Sequence, residues 1–264
     1  MFKRLKNDAE AAEDLLEFIE TAGFYLTIMD DPVCSIRFFS GMEASIEEVR
    51  KKYPHTLELT IPFIETMDDG FPSQTETARI NQIEDSFITG SYDIRQIGVI
   101  TGDGCVRYIF CFAGSKNDLK KIVKVLMRKH KRVEFSTIVG WNDQLWYYEH
   151  ILKPNIYERN WMINNSQCSQ LKNDGEAFQT IREIDFCCIF SSSKHMQAMT
   201  EQLREQGFHE IRNEEIETSK HMLQFVLNEI PSFEKINEIT NEIIYLLEGT
   251  EGYFDGWGCP VYKE

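Results

Sequence analysis

No apolar run in this sequence approaches the ~18–20 residues needed to cross a bilayer; the strongest, Phe186 to Phe190, is only strand-length. A transmembrane helix is not expected. The first residues, Met1-Phe2-Lys3-Arg4-Leu5-Lys6-Asn7-Asp8, lack the apolar core and cleavage site of an export signal, so a cytoplasmic location is expected. Paired metal-ligand spacings are missing too. The seven cysteines, at 34, 105, 111, 168, 187, 188 and 259, mostly stand in apolar strand-like runs, and Cys187-Cys188 would point to opposite faces of a strand. They read as buried thiols of a reducing compartment. The histidines show no His-x3-His pair, and no Gly-x-Ser-x-Gly elbow occurs. Gly102-Asp103-Gly104 lacks the following helix and lysine of a phosphate loop. No catalytic residue, cofactor or metal site is assigned, and a non-enzymatic role is expected.

Positive charge is scarce in one half. Residues 155–264 hold 9 Lys/Arg against 19 Asp/Glu, net −10, whereas residues 1–154 hold 19 against 24, net −5. The second half repels phosphate backbones and attracts basic proteins, so direct nucleic-acid binding is not expected there. Plain solubility charge explains the same bias.

What is present reads as two α+β units. A leading helix over residues 3–20 is followed by β-rich runs Phe24 to Met29 and Cys34 to Phe39, joined across Asp30-Asp31-Pro32 as a hairpin. A third run, Leu57 to Ile64, ends in Asp68-Asp69-Gly70-Phe71-Pro72. Ser73 and Glu76 have capping-box spacing before a helix with Ile80, Ile83 and Phe87 on one face. Ile94 to Thr101 and Cys105 to Phe112 flank an Asp-Gly turn, a hairpin signal. Asn117 then caps a helix burying Leu119, Ile122, Val123 and Leu126, and Val133 to Val139 returns as a strand. A boundary is placed near Pro154, with a connecting helix over 155–172. Beyond it come a strand from Thr180 to Phe190, a helix from Lys194 to Gln206, strands around 208–216 and 222–227, a helix from Phe233 to Leu247 capped by Ser232, and a strand from Tyr253. The order βαββαβ is ferredoxin-like. The expected fold is α+β: two ferredoxin-like domains, residues 1–154 and 155–264, each an antiparallel sheet backed by two helices.

The second half resembles the RraB family of ribonuclease E regulators through Asp174-Gly175, Ile181-Arg182-Glu183-Ile184, Gly207-Phe208 and Tyr253-Phe254-Asp255-Gly256-Trp257-Gly258. The first half resembles the domain-of-unknown-function family numbered 695 through Tyr53-Pro54, Gly70-Phe71-Pro72, the Ile97-Gly98 to Phe112 hairpin and Trp146 with Tyr148. The first resemblance implies a ferredoxin-like fold and inhibition of a ribonuclease by protein contact, without chemistry. The second implies no activity.

Six residues are candidates for partner binding. Asp255 and Trp257 could form a contact loop; alternatively Trp257 plugs the core, Asp255 bonds turn amides and Gly258 admits a bulge. Burial of Trp257 is the expectation. Glu210, Glu214, Glu215 and Glu217 crowd one strand edge, where they would meet a basic partner or merely discourage strand pairing. Lys120, Lys121, Lys124, Arg128, Lys129, Lys131 and Arg132 could meet phosphate, but without interleaved aromatics they read as the solvated face of a helix. The first functional reading is an intracellular regulator or adaptor that binds a protein, a ribonuclease by resemblance. The alternative is a small-ligand protein or enzyme with its site in the N-terminal domain or between domains. Homo-oligomerisation through an exposed sheet face is a third expectation.

Overall fold

The computed structural model describes residues 22–29, 33–39, 49, 51–88, 94–129, 136–140, 146, 148–217 and 220–262. The helix expected over 3–20 lies outside them. The chain forms two compact units, residues 1–154 and 155–264.

The first unit contains β1 (Ala22–Ile28), β2 (Val33–Phe39), β3 (His55–Pro62), α1 (Gln74–Ile88), β4 (Ile94–Gly102), β5 (Cys105–Phe112), α2 (Lys116–Lys129) and β6 (Ser136–Gly140), followed by a π-helical turn at Tyr148–Leu152. Its strands form one antiparallel sheet in the order β1-β2-β4-β5-β3-β6. The run from β3 to β6 is βαββαβ in the ferredoxin-like order. The difference from expectation is the β1–β2 hairpin, which extends that sheet to six strands by pairing β2 with β4. Asp103 and Gly104, both at positive φ, make the tight turn between β4 and β5 that the Asp-Gly signal predicts.

Cap chemistry departs from the sequence reading twice. Ser73 Oγ accepts the Glu76 N–H at 3.2 Å, but the Glu76 carboxylate turns away from the Ser73 amide to accept from Ile64 N–H and the Arg79 guanidinium. The Ser73 N–H donates to the Glu65 carbonyl instead. Only half a capping box forms, because a buried carboxylate finds a cation within reach. At α2 the cap is Ser115 rather than Asn117: Ser115 Oγ accepts from Asp118 N–H while Asp118 Oδ2 accepts from Ser115 N–H.

This sheet is buried on both faces. Leu57, Leu59, Ile61, Val99, Val106, Tyr108 and Phe110 pack with Ile80 and Ile83 of α1. On the opposite face, register aligns Tyr25 with Ile36 and Ile100, and Phe38 with Gly98 and Ile109. The π-helical turn covers this second layer: Tyr148 and Leu152 are fully buried, and Tyr25 Oη donates to the Ile151 carbonyl at 3.0 Å. Gly98 is glycine for a steric reason, since a Cβ there would stand 2.5 Å from both Leu152 methyls.

The second unit contains α3 (Ile156–Asn173), β7 (Arg182–Phe190), α4 (Ser193–Glu205), β8 (His209–Glu217), β9 (Lys220–Glu229), α5 (Phe233–Leu247) and β10 (Gly252–Gly258). The antiparallel order β10-β7-β9-β8 is the ferredoxin-like one. Ile184, Phe186, Cys188 and Phe190 of β7 meet Leu223 and Phe225 of β9 and the apolar stripe Ile236, Ile239, Ile243 and Leu247 of α5. Each such side chain stabilises by ~1.5–3 kcal/mol relative to exposure. Ser232 caps α5 by accepting from Lys235 N–H, as its position predicts.

The helix expected over 155–172 packs into this unit. Asn155 and Glu158 cap α3 reciprocally, Cys168 enters the core, and Asn160 and Asn164 bond to α5. Three helices therefore back this sheet, not two.

Candidate functional site

The segment Tyr253 to Gly258 has two sides with different roles. Trp257 is 8% exposed and lies in the core, its indole N–H donating to Asn164 Oδ1 at 2.8 Å. It plugs the core, as the expectation of burial has it. Asn164, itself 0% exposed, donates to Asn237 Oδ1 and Thr240 Oγ1, both at 2.8 Å. Asn160 donates to the same Thr240 hydroxyl at 2.7 Å and to Asn241 Oδ1 at 2.9 Å, while Thr240 donates to the Ile236 carbonyl. Asn164 uses both N–H groups and its oxygen, so the buried polar row is satisfied rather than costly.

Asp255 is on the other side. Register passes from Phe254 opposite Cys188 to Gly256 opposite Cys187, making Asp255 the extra residue of a bulge. Gly256, at φ +140°, supplies the backbone that side chains rarely adopt; the bulge is there and not at Gly258. Asp255 is exposed beside Cys187, and burial first, with this carboxylate second, raises the Cys187 thiol above its ordinary range.

The four glutamates do not form one patch. They lie on β8, an edge strand, where Glu214 pairs with Met222 and Glu215 with His221, so successive side chains take opposite faces. Glu210 sits at φ +48° in a bulge and pairs with Arg212 at 2.9 Å; Glu217 is opposite Lys220. Among the glutamates of β8, only Glu214 shares the cross-strand row of Met222, Ile189 and Tyr253.

That row belongs to the sheet face away from the helices. Register places Glu183, Asp185, Cys187 and Ile189 of β7 on it with Met222, Gln224, Val226 and Asn228 of β9. None of these belongs to the core packed on the helices. Glu183, Asp185, Gln224 and Asn228 are exposed, and Tyr253 is 55% exposed. Sequence reading overlooked Glu183, Asp185 and Tyr253, although the period-two alternation from Arg182 to Cys187 separates them from the core. It overlooked Asn160 and Asn164 as well; their i, i+4, i+8 spacing with Cys168 marks a packed helix face, disguised by polar residues.

A second fixed point holds the segment after β10. Arg182 and Glu176 form a bidentate pair at 2.5 Å with side chains almost wholly buried. The Arg182 guanidinium also donates to the Pro260 carbonyl and lies 4.4 Å from the Tyr262 ring centroid, while the Tyr262 N–H donates to Glu176. Arg182 and the backbone N–H donors hold the Glu176 carboxyl down to about 2.

In the first unit, Arg37, Gln96 and Tyr108 converge on Glu84 between α1 and the sheet. Burial raises the Tyr108 phenol and pushes the Cys111 thiol up to about 12, so neither is an activated nucleophile at neutral pH. Lys120, Lys121, Lys124 and Arg128 are exposed on α2, and Lys121 is engaged by Asp118. No group of three His, Cys, Asp or Glu among the described residues is placed to hold a metal ion.

Residues 161–259 match the family described as regulator of ribonuclease activity B, RraB. The RraB match starts within α3 and ends one residue beyond β10, so it takes in most of the helix that carries Asn164 together with all four strands. Residues 23–152 match a family of unknown function, DUF695, from the first hairpin through the π-helical turn that closes its sheet. No curated protein matches the chain. No helix among the described residues is long and apolar enough to cross a membrane.

Proposed function

We propose that the protein is a non-enzymatic regulator whose RraB-like unit, residues 155–264, binds a ribonuclease and inhibits it by contact. The observation that carries this reading is the match of residues 161–259 to regulator of ribonuclease activity B. Two features support it. Net charge of −10 over residues 155–264 favours a basic protein surface over nucleic acid. The unit's own helices also pack on one face of its sheet, leaving the other to serve as a scaffold for contact. None of the seven cysteines forms a disulfide, which suits a cytoplasmic site of action. In this reading the two units are separate domains, and no role is assigned to residues 1–154.

Cleavage of a defined RNA by purified endoribonucleases of the cell that makes this protein, with and without the protein added, tests the reading. Saturable slowing of one enzyme at stoichiometric concentrations is expected, with RNA left intact by the protein alone. An effect that titrates with RNA rather than enzyme, or slowing of none of them, rejects it.

A further inference from the structure

We propose that the face of the four-stranded sheet turned away from the unit's helices, centred on Glu183, Asp185, Glu214, Asp255 and Tyr253, is where a basic ribonuclease surface docks. This inference rests on the proposed function and locates its contact. All three helices of the unit lie on the opposite face, with Ile184, Phe186 and Cys188 turned toward them. Glu183, Asp185, Glu214 and Asp255 are all exposed; of the cations that strand alternation places with them, Arg212 is paired with Glu210 and Lys220 is opposite Glu217. Next to these carboxylates exposed Tyr253 and half-buried Met222 flank buried Ile189, their direct neighbour across β10, β7 and β9. An exposed aromatic beside apolar side chains, ringed by charge, is the composition of an interface anchor and rim.

Charge selects the occupant. A second copy of this chain would set four carboxylates against four, a like-charge arrangement that costs binding. Nucleic acid would set phosphate against them. A lysine- and arginine-rich protein surface complements them, and the bulge at Asp255 displaces one carboxylate from the regular pleat, widening the charged area along β10.

Two charge-reversed variants separate the face from the general acidity of the domain. One carries Glu183→Lys, Asp185→Lys and Glu214→Lys. The control carries Glu234→Lys, Glu238→Lys and Glu242→Lys, three exposed residues along α5 with the same charge change. Binding to the ribonuclease identified by inhibition should weaken on the order of tenfold or more for the sheet variant and far less for the control. Tyr253→Ala should weaken binding by accelerating dissociation. Carbodiimide cross-linking of the wild-type complex gives a second readout that needs no variant: Glu183, Asp185, Glu214 or Asp255 should join lysines of the enzyme. Equal loss in both variants, no loss in either, or cross-links confined to α5 overturns the docking face while leaving ribonuclease binding in place. Self-association detected by sedimentation and abolished in the sheet variant also overturns it. Absence of any bound or inhibited ribonuclease with wild-type protein overturns the proposed function, and the docking face with it.

Discussion

The two sheets of this protein share a four-strand ferredoxin-like order and differ in what covers them. In the first unit, helices pack on one face and the π-helical turn at Tyr148–Leu152 closes the other, so β5 is buried on both sides from Tyr108 to Phe112. In the second, β7 alternates buried and exposed through Phe186, with helices packed on one face, and on the other face Ile189 and Val226 are buried while Glu183 and Asp185 are exposed. A sheet sealed on both sides spends its surface on its own stability. One sealed on a single side keeps a rigid surface for a partner.

Trp257→Ala should have the largest effect on this contrast, because it removes the open unit's aromatic plug and orphans Asn164 Oδ1. A loss of ~3–5 kcal/mol in chemical denaturation is expected. An unchanged denaturation midpoint would mean that the residue is free to contact a partner. Glu176→Ala comes next, since it leaves the buried Arg182 charge without its partner, a change that costs ~3–5 kcal/mol at neutral pH.

That pair also has a pH signature. The folded Glu176 carboxyl is depressed from 4.5 to about 2, so its stabilising contribution is complete above the unfolded value. It is lost as pH falls from about 4.5 toward about 2. Melting temperatures measured from pH 6 to pH 2 should fall more steeply across this window for wild type than for Glu176→Gln. Parallel curves would show that the carboxyl titrates alike in folded and unfolded chains.

The closed sheet is probed by Gly98→Ala. A methyl 2.5 Å from Leu152 must displace the covering turn, and overpacking of this kind costs ~1–3 kcal/mol. Stability should return partly in Gly98→Ala with Leu152→Ala, which makes room. A neutral Gly98→Ala would show that the turn is not packed against the sheet. The smallest effect belongs to the β8 edge: replacing Glu210, Glu214, Glu215 and Glu217 by Gln should alter stability by under ~0.5 kcal/mol. Ribonuclease association should lose part of its salt dependence, by the share Glu214 carries. Unchanged salt dependence would remove Glu214 from the docking surface.

Much of the fold was legible because its signals are local. Ser232 and the Ile236, Ile239, Ile243 stripe identify α5, and Asp103-Gly104 identifies the β4–β5 turn. The cap of α2 was misplaced by two residues because Ser115 and Asn117 are both good cap formers, and only the Asp118 side chain, bonded to Ser115, decides between them. The candidate site was less legible. Glu210, Glu214, Glu215 and Glu217 look like one cluster in sequence, yet pleating divides Glu214 from Glu215.

By itself, the sequence determined the α+β class, the two βαββαβ orders, the acidity of the second half and the burial of Trp257, since periodicity and composition act over short stretches of chain. Tertiary structure alone decided that α3 packs on α5 through Asn160 and Asn164, that Tyr148 and Leu152 seal the first sheet, and that Glu183, Asp185, Glu214 and Tyr253 share a face. The physical reason is the same in each case: these residues are tens of positions apart in the chain, and only strand register and helix packing bring them together.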